Sequence, residues 1–121
     1  MKASIIQIGF AMESAFTILT MLLLAGCVST ETGSPRSGVF CGHYTHQFEV
    51  SSFEPCDSHE GWWVSGEVRP LVDASGGQRA YAEVRGDLSG TGSYGHLGAY
   101  RRELVVRETL VVRPSADTDC R

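Results

Sequence analysis

Alternation of apolar and polar residues dominates the chain after residue 39. In "FCGHYTHQFEVSSF", which starts at Phe40, every second residue from Tyr44 to Val50 falls on one face of an extended strand. The segments "GWWVSGEV", "RAYAEVRGDL" and "RRELVVRETLVVRP" alternate in the same way, and a short further strand is expected at 96–100. In the last strand the predicted inward residues are Leu104, Val106, Leu110 and Val112. The pattern predicts an all-β domain of four or five strands.

The connections between these strands carry turn residues. "RPLVDASGGQ" contains Pro70 and a Gly76-Gly77 pair, and "SGTGSYGHLG" is dense in glycine, so both segments are expected to be turns or loops. No segment after residue 39 keeps a 3.6-residue period, so no helix is expected there. Closure of a sheet removes exposed strand edges. We therefore predict a small five-stranded, OB-like barrel over residues 39–121.

The first 26 residues differ from the rest. They carry one lysine, Lys2, and an apolar run that ends in small residues and is shorter than the ~20 residues of a membrane span. The four residues that end at Cys27, "LAGC", resemble the lipobox of bacterial lipoproteins, in which the cysteine is acylated and becomes the first residue after cleavage. The resemblance implies a signal peptide at 1–26, a lipidated Cys27 and a flexible tether over 27–38. Val28 in place of an aspartate resembles the sorting pattern of outer-membrane lipoproteins that face the periplasm.

Under this interpretation, three of the four cysteines remain for disulfide bonds. With Cys27 acylated, Cys41, Cys56 and Cys120 remain, and in an oxidising compartment two of them are expected to pair. We expect Cys56 with Cys120, because Cys120 ends a polar tail that nothing else would hold; Cys41 with Cys56 is the rival pairing. The unpaired Cys41 would be a small buried hydrophobe.

Charge and motifs exclude several functions. The formal net charge is −4, and no basic cluster favours nucleic acid. The G-x-G-x-x-G match at 90–95 precedes a predicted strand rather than a helix, so no nucleotide cofactor is expected. The sequence has four histidines, His43, His46, His59 and His96. His43 and His46 point to opposite faces of one strand, which argues against a metal site made from these residues. No nucleophile or acid-base pair is found, so we do not predict an enzyme.

Binding is the remaining chemistry. Trp62 and Trp63 are adjacent on a strand, so one is expected in the core and the other, Trp63, on the surface or at a barrel end. Together with His96 in the glycine-rich loop, they are the candidate binding residues.

A family resemblance covers residues 40–114. The segment "YAEVRGDLSGTGSYGHLGAYRRELVVRETLVVRP", with "FEPC" and "GWWVSG", resembles the C-terminal OB-fold domain of the NlpE-type copper-resistance and surface-sensing lipoproteins. The resemblance implies an OB fold and an envelope location. The Cys-x-x-Cys pair of that family's N-terminal domain does not occur in this sequence, so no functional residue is carried over.

These observations predict a monomeric, non-enzymatic envelope lipoprotein that binds or senses a protein or a glycan. Two alternatives stay open. One is a periplasmic module of the lysozyme-inhibitor kind, and the other is a copper-binding envelope-stress protein.

Overall fold

The computed structural model describes Cys27 and residues 33–121. The predicted signal peptide, residues 1–26, and most of the predicted tether, residues 28–32, lie outside the described residues. Within the described part of the chain, no helix has the length and hydropathy that a membrane span requires.

Five strands and one short helix make up the domain. The strands are β1 (Arg36–Gln47), β2 (Val50–Pro55), β3 (Trp62–Gly66), β4 (Ala80–Leu88) and β5 (Glu103–Pro114); the helix, α1 (Arg69–Ser75), joins β3 to β4, and a 3₁₀ turn lies at His96–Gly98. The all-β prediction is therefore confirmed at the level of fold class. β1 begins three residues before the predicted domain boundary at residue 39, inside the segment expected to be tether.

The sheet closes into a ring in the order β1-β2-β3-β5-β4. Every neighbouring pair is antiparallel except β3 and β5, which run parallel from Trp63 opposite Glu103 to Gly66 opposite Val106. Because β4 also pairs with β1, each strand has two neighbours. The ring has five strands, within the predicted number of four or five, and β3, β4 and β5 are among the predicted ones.

Two predicted strands are wrong. The segment expected to be one strand from residue 40 is a hairpin, with Phe48 and Glu49 in the turn between β1 and β2. Glu49 has φ +59°, the left-handed conformation that closes such a turn. The short strand expected at 96–100 is the 3₁₀ turn, and this loop holds a single bridge between Tyr94 and Tyr100.

The segment expected to be a turn contains α1. Pro70 lies in its first turn and Gly76, at φ +57°, ends it, which is the usual position of each residue at a helix start and stop. Leu71 is fully buried under the ring. Seven residues are fewer than two full turns, so the 3.6-residue period is too short to stand out.

β5 departs from simple alternation. Its register against β4 shifts twice, between Arg85 and Gly86 and between Glu83 and Val84, so that Arg107 and Leu110 are extra residues on β5. Leu110, predicted to face inward, is therefore 41% exposed. Thr109 takes the position opposite the buried Val84 instead.

The core lies inside the ring. Its largest fully buried side chains are Trp62, Tyr44, Phe40, Phe53, Leu71, Leu88 and Leu104. Trp62 meets Phe40 edge to face and stacks on Phe53, with ring centroids 5.7 and 6.0 Å apart.

One buried charge fixes the loop between β4 and β5. The Arg102 guanidinium lies over the Trp62 ring, 5.9 Å from its centroid, and donates through Nε to the Ser89 carbonyl and through Nη2 to the Ser34 carbonyl. Burial lowers the pKa of Arg102 from its usual range. This side chain joins the chain entering β1 to the base of the loop.

Candidate binding surface

Two loops meet at one end of the ring. The first is the turn between β1 and β2, with Phe48 and Glu49; the second is the β4–β5 loop, with His96 and Leu97 at its turn. His96 Nε2 lies 3.7 Å from Glu49 Oε2, so the two turns are adjacent in space. We call Phe48, Glu49, His96 and Leu97 the loop tip.

The loop tip exposes large apolar side chains. Phe48 is 90% exposed and Leu97 is 89% exposed, far above the other exposed hydrophobic residues of the described chain, which reach 41%. Phe48 was predicted to continue the inward face of the first strand, but the strand ends at Gln47 and leaves it in the turn.

The backbone at the loop tip is also unusual. Among the described residues, three that are not glycine have positive φ, and two of them are Glu49 and Leu97, both at +59°. The left-handed region costs an ordinary residue roughly 1–2 kcal/mol. Such conformations cluster at functional sites, where the surrounding structure holds them.

Trp63 supports the second loop rather than facing solvent freely. It is half-buried, and its ring meets that of Tyr100 at 5.5 Å between centroids. Gly95 lies directly on the Trp63 ring, so closely that a Cβ at residue 95 would collide with it, and its φ is +73°. Close approach and positive φ both require glycine here, so the glycine-rich loop is positioned by Trp63.

The predicted binding residues separate in the structure. Trp62 is 1% exposed and belongs to the core, so its place among the binding residues is wrong; the inward neighbour of an alternating pair is buried. Trp63 lies beneath the β4–β5 loop, and His96 lies in the loop tip. Sequence reasoning missed Phe48, Glu49 and Leu97, because contact between two loops separated by almost fifty residues leaves no local pattern.

The cysteines form two disulfides. Cys56 pairs with Cys120, as predicted, and Cys27 pairs with Cys41. Cys41, expected to be unpaired, is bonded in this structure: it is buried in the middle of β1, and Cys27 lies against it. Since one sulfur cannot be both a thioether and half of a disulfide, this bridge and acylation of Cys27 exclude each other in one molecule.

Cys27, Cys41 and Glu83 also form a group of three potential metal ligands within 4.8 Å among the described residues. Glu83 lies opposite Cys41 in the β1–β4 ladder, and the Cys41 Sγ to Glu83 Oε1 distance is 3.7 Å. A metal would need both sulfurs as thiolates, whereas the disulfide ties them to each other.

A second polar cluster holds the C-terminal tail, residues 115–121. The Asp119 side chain is 1% exposed; its Oδ2 accepts from His43 Nε2 at 3.0 Å and from the Ala116 N–H at 2.7 Å, and its Oδ1 pairs with Arg113 Nη2 at 2.6 Å. These donors, the Ala116 N–H first, lower the pKa of Asp119 to about 2. Arg113 in turn lies 4.3 Å over the Tyr81 ring. We call His43, Tyr81, Arg113 and Asp119 the Asp119 cluster.

The strands that carry the NlpE resemblance, within residues 40–114, all belong to the ring. The resemblance itself rests on the quoted segments. Comparisons with protein-family models, with curated protein sequences and with solved structures give no match to this chain.

Proposed function

We propose that the protein is a non-enzymatic lipoprotein of the bacterial cell envelope, in which an OB-like barrel binds an envelope partner, protein or glycan, through the loop tip. Acylated Cys27 attaches it to the outer membrane from the periplasmic side. The loop tip is the observation that carries the binding proposal.

The strand order supports the OB-like assignment. Five strands in the order β1-β2-β3-β5-β4, with β3 parallel to β5 and a helix between β3 and β4, follow the path of that fold. OB folds bind ligands with the β1–β2 and β4–β5 loops and the adjacent strands. The loop tip consists of these two loops.

Energetics favour a macromolecular partner at the loop tip. Complete burial of a Phe or Leu side chain contributes roughly 1.5–3 kcal/mol, and Phe48 and Leu97 gain almost none of it in the isolated domain. Two large apolar side chains exposed on adjacent loops support a docking surface at the loop tip.

Attachment rests on the sequence around Cys27. Three acyl chains would hold the protein on the membrane almost permanently, since each buried methylene contributes about 0.8 kcal/mol. In the acylated protein Cys41 carries a thiol instead of the bridge to Cys27, and this thiol lies beside the Glu83 carboxylate.

Binding is tested with a photo-crosslinking residue at position 97, compared with the same residue at position 110. Leu110 is a matched control, because it is also exposed and apolar but lies on β5, away from the loop tip. We expect adducts of discrete mass in intact cells from position 97 only, and their loss in a Phe48→Ser background. Equal labelling from both positions, or none from either, contradicts a partner at the loop tip.

Two purified probes separate the classes of partner. Sedimentation with peptidoglycan sacculi tests for a glycan, and inhibition of purified lysozymes tests the inhibitor alternative. Phe48→Ser and Leu97→Ser should abolish whichever activity is present, whereas Leu110→Ser should leave it unchanged.

Attachment is tested by intact-mass spectrometry after alkylation of free thiols without reduction. The proposal predicts a chain that starts at Cys27, carries acyl chains and takes up one alkyl group, on Cys41. A chain with two disulfides, no acyl mass and no alkylated thiol would contradict it.

A further inference from the structure

Cys56 has a second cysteine within reach besides its partner. Cys41 lies directly across the β1–β2 ladder, one step beyond Gly42 opposite Pro55, and the Cys56 N–H donates to the Cys41 carbonyl at 2.9 Å. Pro55 and Phe40 are buried on the inner face, so their neighbours Cys56 and Cys41 lie on the opposite face of the sheet, where Cys41 is itself covered. The two thiols therefore share one face of the sheet.

Cys56 can therefore form a disulfide with either Cys41 or Cys120. The Cys41–Cys56 bond would form between neighbouring strands and needs no movement of the tail. The Cys56–Cys120 bond closes a separation of 64 residues and needs residue 120 to stay close to β2, at a Cα–Cα distance of 5.1 Å. A hydrogen-bonded antiparallel pair separates its Cβ atoms by roughly 5 Å or more, wider than the ~3.8 Å that a disulfide prefers, but this disadvantage is modest.

Asp119 supplies the missing restraint. It directly precedes Cys120, and its carboxylate is held by one residue of β1, His43, and one of β5, Arg113. The Ala116 N–H fixes the turn of the tail itself on the same carboxylate. None of these contacts involves a sulfur, so we expect them to form in the reduced chain as well and to keep the Cys120 thiol beside Cys56.

We propose that Asp119 is a positioning residue for oxidation, and that it selects Cys120 over Cys41 as the partner of Cys56. The oxidant is a disulfide of a small molecule or of a thiol oxidase. The Cys56 or Cys120 thiolate attacks it, releases one thiol and forms a mixed disulfide. The second cysteine then displaces the other thiol, so that one disulfide is reduced to two thiols while one forms.

The same restraint acts after oxidation. When Cys41 carries a thiol, it can attack Cys56 Sγ and expel Cys120, which exchanges one disulfide for the other. The Asp119 cluster returns the expelled Cys120 thiol to Cys56 and so favours the reverse reaction. This inference does not depend on the loop tip, and it holds for any form of the chain in which Cys27 is not bonded to Cys41.

The test uses the full chain with Cys27→Ser, which leaves three cysteines. The folded protein is equilibrated in a mixture of reduced and oxidised glutathione, free thiols are trapped by rapid alkylation, and the disulfides are mapped by peptide mass spectrometry. We expect almost only Cys56–Cys120 in this parent, and a several-fold increase in the ratio of Cys41–Cys56 to Cys56–Cys120 in Asp119→Asn. Asp117→Asn is the matched control, since Asp117 is an exposed acid in the same tail, and it should behave as the parent.

An unchanged ratio in Asp119→Asn, or an equal increase in Asp117→Asn, overturns the proposal. His43→Leu, which removes the donor on β1 to the carboxylate, should raise the ratio less than Asp119→Asn does and keeps the test valid if Asp119→Asn does not fold. The ratio is measured only on molecules with a native circular dichroism spectrum, because a general loss of structure would scramble all three cysteines alike.

Discussion

The loop tip and the C-terminal tail are both irregular segments on the same ring, but the tail is packed against the ring and the loop tip is exposed. The tail buries a carboxylate beside three nitrogen atoms and is closed by a disulfide, so its buried charge is paired within the chain. The loop tip exposes the side chains of Phe48 and Leu97 and has positive φ at Glu49 and Leu97, so its apolar surface is not covered within the chain. The tail therefore has the features of a structural fastening, and the loop tip has those of a surface that is completed by something else.

The largest effect is expected from removing the Cys56–Cys120 disulfide, which should affect the tail and leave the loop tip unchanged. Replacing Cys56 and Cys120 together by serine should lower the free energy of unfolding by about 4 kcal/mol, because the bond closes a separation of 64 residues. Urea unfolding measures the loss. Hydrogen exchange should show faster exchange in residues 115–121, while crosslinking from position 97 stays as in the parent; a loss of crosslinking would mean that the two regions are not independent.

The next effect acts on the support of the loop tip. Gly95→Ala should cost roughly 1–3 kcal/mol, because its φ of +73° is unfavourable for alanine and the new Cβ meets the Trp63 ring. Thermal unfolding and the fluorescence of Trp63 report the change. Gly77→Ala is a useful control, since it also has positive φ but nothing lies near its Cβ position, so any excess cost at residue 95 measures the contact with Trp63.

Much of the ring could be predicted from the sequence, and the exceptions have local causes. Alternation identifies the inward residues of β4, where Ala80, Ala82, Val84 and Leu88 are all buried. It fails in β5, because each extra residue reverses the parity that the pattern assumes and puts Leu110 outside. The Cys56–Cys120 bond could be predicted because a polar tail that ends in cysteine needs an attachment.

The candidate site was harder to predict. The loop tip depends on a contact between Glu49 and His96 and on two backbone conformations that leucine and glutamate rarely adopt. Neither is encoded in a short window of sequence. Trp63, by contrast, was correctly placed on the outer side of β3, but what lies over it is a loop of the same chain.

A smaller effect is expected at the loop tip itself. Leu97→Gly should stabilise the isolated domain by up to about 1 kcal/mol, because glycine accepts φ +59° and the leucine side chain buries almost nothing. The same change should weaken crosslinking to the partner from a probe at position 48. A destabilised Leu97→Gly domain would show that the side chain serves the fold rather than a partner.

The smallest effect concerns pH and reaches only the tail. The pKa of Asp119 is lowered from 3.8 to about 2, so its contribution to stability is fully present above about pH 4 and is lost as the pH falls through 2. Carboxyl-carbon NMR measures this titration directly. From pH 7 to about 5 the Asp119 carboxylate should stay ionised, and a midpoint near 4 would show that the bonds to Ala116, His43 and Arg113 are absent in solution.

Arg102 gives the domain a mechanical property. It bonds the carbonyl of Ser34, just before β1, and that of Ser89, at the end of β4, with its side chain seated on the core ring of Trp62. Tension on the chain ahead of residue 33 would therefore be shared among β4, β5 and the core instead of peeling β1 away from its neighbours one hydrogen bond at a time. Under the proposed attachment through Cys27, a pulling force would enter the domain at this end.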